Sequence, residues 1–205
     1  PIDFSYELFN RVIRRRNKIV FLVGDINTLA VDMKFYGEHL LRFWIKQIQE
    51  EYGLGTRGEA IAKAKEEDIS VTFVANKRYT PRNNNRVVQR NVTAANIEQV
   101  LTLKAMTFLR ELKDAGLFAI SSFNSDFPGT VLFDISDCVI EAIAQADVVI
   151  AKGQQNGITI DGLKKDAFRI YSISDFANIF YTGIKYNKEE YKYPQGVVLY
   201  APAGI

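Results

Sequence analysis

Cysteine and histidine each occur once in these 205 residues, as Cys138 and His39. A single cysteine cannot close an intrachain disulfide, so nothing points to an oxidising compartment. Cys138 lies in the apolar stretch Ser136-Asp137-Cys138-Val139-Ile140 and reads as a small core residue. One histidine inside a helical pattern, beside Leu40 and Leu41, leaves no material for a His-dependent catalytic triad or a His-rich metal site; it reads as a packed or half-exposed helix residue. No apolar run approaches the roughly 18 residues of a membrane span, and no charged, apolar and small-residue signal pattern opens the chain. Charge of one sign is also lacking. With 26 Lys and Arg against 24 Asp and Glu, the net charge of +2 gives no electrostatic case for nucleic acid or an anionic membrane. A cytoplasmic protein without nucleic-acid or membrane partners is the expectation. The chain opens on Pro1 rather than Met, which leaves room for a missing N-terminal segment.

What is present is an ordinary globular composition, 47% apolar and 24% charged, long enough for a sizeable core and read as one domain over 1–205. Phe4, Leu8, Phe9, Val12 and Ile13 recur at near-helical spacing, so a helix is expected up to Arg14-Arg15-Arg16, whose cations suit a helix C-terminus. KIVFLV at Lys18 to Val23 has the β-branched, aromatic character of a strand covered on both faces. A polar turn, Gly24 to Thr28, then leads into a long helix with an apolar stripe through Val31, Phe35, Leu40, Leu41, Trp44 and Ile48; Trp44, Phe43 and Tyr36 are expected in the core. Tyr52 to Gly58 carries three glycines and reads as a loop or flap before a short charged helix, Glu59 to Glu67. Those glycines do not follow a strand, which rules out a dinucleotide fingerprint.

Further strands are expected at Ile69 to Ala75, Leu117 to Ile120, Val148 to Ala151, Phe168 to Ser172 and Gly196 to Tyr200. Between them fall a helix from Thr93, its N-cap, toward Lys113, with Val100, Leu101, Leu103, Met106, Leu109 and Leu112 buried and Gly116 ending it, and another from Ser136 to Ala144. Strands alternating with helices imply parallel crossovers, hence a three-layer α/β/α sandwich around a mainly parallel, Rossmann-like sheet. The Tyr181 to Tyr200 region, interleaved with Lys185, Lys188 and Lys192, reads as a surface loop and closing strand rather than a base-stacking surface.

Four polar turns follow strands: Gly24 to Thr28, Asn76 to Asn91, Ser121 to Asp126 and Lys152 to Asn156. In a parallel sheet they converge on one edge, the place where such folds bind ligands. The last is the most informative. ADVVIA drives a buried strand straight into Lys152, Gly153 and Asn156, which offer a compact cation, close backbone approach and an amide donor and acceptor. An anionic ligand, most simply a phosphate, fits that set.

These segments resemble the metal-dependent damage-control phosphatases, also known as the domain of unknown function 89 and described as acidic-residue methyltransferase-like. ADVVIAKGQQN resembles that family's strand followed by Lys-Gly-x-x-Asn, and SFNSDFPG (Ser122 to Gly129) is similar to its Ser/Asn-Gly-x-Asp-x-Pro-Gly turn. VTFVANK with the later Asn91-Val92-Thr93 resembles its Asn-Asp-Val-Thr region, and KIVFLVGDINTLAVD its strand and Asp-Asn-x-Gly-Glu turn. The similarity runs from Lys18 to Gly183. It implies a phosphatase acting on a small phosphorylated metabolite of sugar-phosphate type, with a divalent metal (Mg, Mn, Co or Ni) as cofactor. It further implies metal ligands at Asp25 with Asn91 or Asn84, catalytic roles for Asp25 and Lys152, and substrate contacts from Ser122, Asn124, Asp126, Lys152, Gly153 and Asn156. Residues 1–17 would be an N-terminal helix, what is left of a helical subdomain.

The chain departs from the pattern where the negative charge should be. Gly24 stands in place of the first metal Asp, Thr28 in place of the Glu, and Asn91 or Asn84 in place of the second Asp, which leaves Asp25 as the one metal-site carboxylate. A single carboxylate compensates little of a divalent charge, although a substrate phosphate can supply more. The alternative is therefore a catalytically degenerate phosphometabolite-binding or regulatory protein of the same fold.

Overall fold

The computed structural model describes residues 5–24, 26–76, 92–123, 129–132, 134–153, 156, 159–160, 163–172 and 196–201. Six strands form one sheet: β1 (Lys18–Leu22), β2 (Ser70–Asn76), β3 (Phe118–Phe123), β4 (Val148–Lys152), β5 (Ala167–Ser172) and β6 (Gly196–Ala201). Their spatial order is β3-β2-β1-β4-β5-β6. The first five are parallel, and β6 runs antiparallel to β5 at the edge. This is the strand order of doubly wound α/β proteins, so the expected Rossmann-like α/β/α architecture is what forms.

Alternation along the strands explains why both faces are covered. In β1, Ile19 and Phe21 join one core with Val71 and Phe73 of β2, Phe118 of β3 and Val148 and Ile150 of β4. Val20 and Leu22 turn to the opposite core with Val74, Val149 and Ala151. The first core carries an aromatic row: Phe21 stacks on Phe73 at 4.7 Å between centroids, and Phe73 meets Phe118 at 5.3 Å. Over it lie Leu8 and Val12 from the N-terminal helical segment, α3 (Leu40–Glu51), α4 (Arg57–Glu66), α5 (Ala94–Leu101) and α6 (Thr107–Asp114). The second face is covered by α7 (Asp137–Gln145) through Val139 and Ile143, with Ile160 beside them.

Several local expectations need correction. After a 3-10 turn at Ile26–Thr28, the chain passes through α2 (Leu29–Asp32) and a π-helical stretch, Met33–His39, directly into α3. The wider i→i+5 turn of the π stretch shifts the phase of the apolar stripe. Val31 and Phe35 therefore point outward at 67% and 50% exposure, while Asp32, Met33 and Glu38 are buried. Glu38 is held by Lys34 at 2.7 Å and Arg42 at 3.1 Å. Trp44 is in the core, donating from Nε1 to the Ile13 carbonyl at 3.0 Å, but Phe43 is 43% exposed, and His39 is exposed. The N-terminal helix turns from α1 (Ser5–Leu8) into π geometry at Phe9–Ile13.

The single helix expected from Thr93 to Lys113 is broken between α5 and α6 by a 3-10 turn at Lys104–Met106. Arg110 caps the break, donating to the carbonyls of Leu101 and Leu103, and Leu103 is 49% exposed rather than buried. Thr93 does cap α5, in a reciprocal box with Asn96. Cys138 is exposed near the start of α7, where hydrogen bonds with Ser136 and then Ser121 lower its thiol pKa. The loop that joins α3 to α4 runs only from Tyr52 to Thr56, because Arg57 and Gly58 are already in α4, and Thr56 and Glu59 form a capping box there. Glu51, just before it, pairs with Arg16 ahead of β1, so α3 exits at the amino-terminal rim and not beside Lys152. Among the described residues, no helix is long and apolar enough to cross a membrane. The Tyr181 to Tyr193 stretch lies outside the described residues.

Candidate functional site at the ends of β1 and β4

The strand order reverses between β1 and β4. From β1 the chain builds outward through β2 to β3, and from β4 outward through β5 to β6. Helices from the two halves leave on opposite sides at such a point and open a crevice beyond the carboxyl ends of the two strands. Leu22 pairs with Ala151 there, so the next residues of each strand, Val23-Gly24 and Lys152-Gly153, meet at the mouth.

They meet backbone to backbone. A Cβ on Gly24 would lie 2.2 Å from the Lys152 carbonyl oxygen, so no side chain fits with this backbone. Gly153 faces it with φ +88, a conformation natural to glycine. Its N–H donates to the Ile170 carbonyl at 2.8 Å, which ties the turn to β5. Asn156 locks the junction from below at 4% exposure. Its amide donates to the carbonyls of Leu22 (3.2 Å), Val23 (2.9 Å) and Lys152 (3.0 Å). Its Oδ1 accepts from the Thr130 hydroxyl at 3.0 Å. Loop carbonyls that would be costly to bury without partners are thereby satisfied by one side chain.

Lys152 follows Val148 and Ile150 in the alternation and so lies on the face covered by the helical run from Ile26 to Glu51. Its ammonium donates to Thr28 Oγ1 at 2.9 Å and is in hydrogen-bonded contact with Asp32 Oδ1. Thr28 in turn donates to Asp32 Oδ2 at 3.0 Å, which closes a three-membered ring of hydrogen bonds. The Asp32 side chain is 3% exposed and that of Lys152 22%, so the carboxylate is the more deeply buried partner of the pair. Tyr36, one turn beyond Asp32, packs against Phe21 at 4.8 Å. Burial, and then the Asp32 charge, push its phenol up to about 12.

Of the residues expected in the site, Lys152, Gly153 and Asn156 come together, joined by Gly24, Thr28 and Asp32. Thr130, just past the SFNSDFPG turn, reaches the same place through Asn156. Ser122, near the end of β3, lies three strands from β4, roughly 14 Å at the ordinary ~4.8 Å spacing. Its carbonyl accepts from the Ser136 hydroxyl at 3.0 Å. Asn76 ends β2 at the same rim and bridges to Thr93. Asp25, Asn84, Asn91, Asn124 and Asp126 lie outside the described residues. Sequence reasoning passed over Asp32 and Thr28 as partners of Lys152. The available signal was a threonine and an aspartate four residues apart in the first helical turns after β1, one helical turn being enough to bring them together.

A hard divalent cation wants several oxygen ligands, carboxylates among them. Among the described residues no group of three or more His, Cys, Asp or Glu could hold a metal ion. The carboxylate of this crevice, Asp32, already holds an ammonium that would repel one. The described residues alone do not make up the oxygen set that a divalent metal needs.

No family model and no curated protein matches this sequence. Among solved structures, the fold is similar to that of a DUF89 family protein from Pyrococcus horikoshii, with a TM-score of 0.50 and 20% identity. The match covers 96% of this chain and 50% of that one, so this chain spans about half the length of its structural neighbour.

Two outcomes follow from this geometry. Gly24→Ala should destabilise the fold by about 2 kcal/mol, the scale of forced overpacking. Urea unfolding checks it, and an unchanged midpoint would contradict the backbone contact. In a spectrophotometric titration Tyr36 should ionise near 12 rather than the usual 10. Because the folded state holds this proton more tightly, the associated stability is fully present below the ordinary tyrosine pKa and is lost as pH rises through the folded value. A Tyr36→Phe variant should lack that step.

Proposed function

We propose that this chain binds a small phosphorylated metabolite in the crevice between the carboxyl ends of β1 and β4. The observation that carries this reading is the fixed lysine at the strand-order reversal. A lysine ammonium has three protons to donate. Thr28 and Asp32 take up two of those on Lys152, and in this reading the third donates to a ligand oxygen. Gly24 and Gly153 let the ends of β1 and β4 meet backbone to backbone, which fixes the peptide that carries Lys152. Asn156 acts as the clamp that sets the two strand ends and is not itself a ligand contact, since its amide is engaged by three carbonyls and a hydroxyl.

Binding without a resident metal is the form of this reading that the described residues favour, because Asp32 is matched to Lys152 and Gly24 has no space for a carboxylate. A second reading, a divalent-metal-dependent phosphatase acting on a sugar-phosphate type of substrate, is favoured by the DUF89-like fold together with the motif resemblance from Lys18 to Gly183. It requires oxygen ligands for Mg, Mn, Co or Ni from outside the described residues, Asp25 with Asn84 or Asn91.

Calorimetry with inorganic phosphate and a panel of sugar phosphates tests the reading. Binding should survive excess chelator and weaken at least tenfold in Lys152→Met, as expected for losing a hydrogen bond to a charged group. Absence of binding, or equal binding by Lys152→Met, would overturn it. Release of inorganic phosphate that needs added metal and is lost in Asp25→Ala would establish the second reading instead.

A further inference from the structure

Asp32 occupies the position relative to Lys152 that an anionic ligand would otherwise take. It is a carboxylate held against the ammonium, buried at 3% exposure and fixed by the Thr28 hydroxyl at 3.0 Å. We propose that Asp32 is a positioning residue that restrains Lys152, holding its ammonium at the crevice floor and offsetting its charge, so that the anion affinity of the site is set below what a lone lysine would give. This rests on the anion-binding reading above and adds a specific regulator to it.

The physical basis is a competition for one cation. A carboxylate in contact with the ammonium, in a surrounding that is largely out of water, keeps most of its Coulombic attraction. An incoming phosphate meets a lysine whose field is already balanced, and it gains only the remaining proton and whatever charge the pair leaves uncompensated. The same pair has a benefit in geometry. Lysine loses considerable side-chain freedom when it is ordered, and here that ordering is complete before the ligand arrives. Asp32 therefore trades affinity for orientation. Thr28 links the two, since it accepts from Lys152 and donates to Asp32 and so fixes their relative placement.

A purely structural aspartate would behave in the opposite way. Removing it would loosen the site and weaken binding. If Asp32 competes with the ligand, Asp32→Asn keeps the shape and a hydrogen-bonding oxygen, releases the lysine charge and strengthens binding.

The experiment pairs calorimetry of inorganic phosphate with quantitative acetylation of lysines by acetic anhydride, read by mass spectrometry. In the unaltered protein Lys152 should acetylate more slowly than Lys46, whose side chain is 75% exposed. In Asp32→Asn, Lys152 acetylation should rise several-fold. Phosphate should bind roughly tenfold tighter, the scale of one partly screened charge contact, and with a steeper salt dependence. Asp32→Glu should restore ordinary affinity. Where the unaltered protein binds phosphate, a folded Asp32→Asn protein that binds it no more tightly overturns the inference, as does, in any case, one that acetylates Lys152 no faster. If Asp32→Asn fails to fold, Thr28→Val removes one of the ammonium's partners at smaller cost; faster Lys152 acetylation in that variant supports the restraint, and an unchanged rate overturns it. Acetylation that responds as expected while neither protein binds phosphate supports the restraint on Lys152 and counts against the ligand assignment.

Discussion

The ends of β1 and β4 touch backbone to backbone, with Gly24 against the Lys152–Gly153 peptide and the Asn156 amide spanning both, and the described residues of the site take their positions from that junction. Neither strand could approach so closely with a side chain at position 24. The two strands are neighbours at the reversal of strand order, and the helical run from Ile26 to Glu51 leaves from the exit of β1. The opening thus arises from topology, and the glycines determine how narrow its floor is. Lys152 enters it as the last residue of a buried strand, and Thr28 and Asp32 enter from the first turns of the helical run that follows the other strand.

Electrostatically the floor of this opening is a balanced pair rather than a positive patch. That matters for what can bind. An isolated lysine at the rim would attract any anion, whereas the charge of a lysine matched to a buried carboxylate is largely offset. Among the described residues the Asp32 carboxylate, the natural partner of a divalent cation there, faces an ammonium. The fold is similar to that of a DUF89 family protein, and the described residues of the site join an ammonium, a hydroxyl and a buried carboxylate through hydrogen bonds.

Much of the architecture could be read from the sequence because its signals are local. KIVFL, SVTFVAN and VVIAK are apolar enough to be strands covered on both faces, and the polar turn after each marks where the sheet ends. Lys152, Gly153 and Asn156 stood out for the same reason. What could not be read depends on partners far along the chain or on helical phase. Lys152 and Asp32 are 120 residues apart, and no local pattern announces that pairing. Periodicity at 3.6 residues places Val31 and Phe35 on a buried stripe, but the π-helical turn at Met33–His39 rotates them outward and turns Asp32 and Glu38 inward. Asn156 has the chemistry of a ligand contact, and the three carbonyls around its amide show that it also clamps the two strand ends.

The most direct measurement is a crystal structure of the protein soaked in inorganic phosphate. The expected result is an oxyanion at the mouth between the ends of β1 and β4, one oxygen within hydrogen-bonding reach of Lys152 Nζ, with the ammonium still on Asp32 and Thr28. Phosphate bound elsewhere with this mouth empty, or Lys152 and Asp32 turned away from each other, would contradict the central claim.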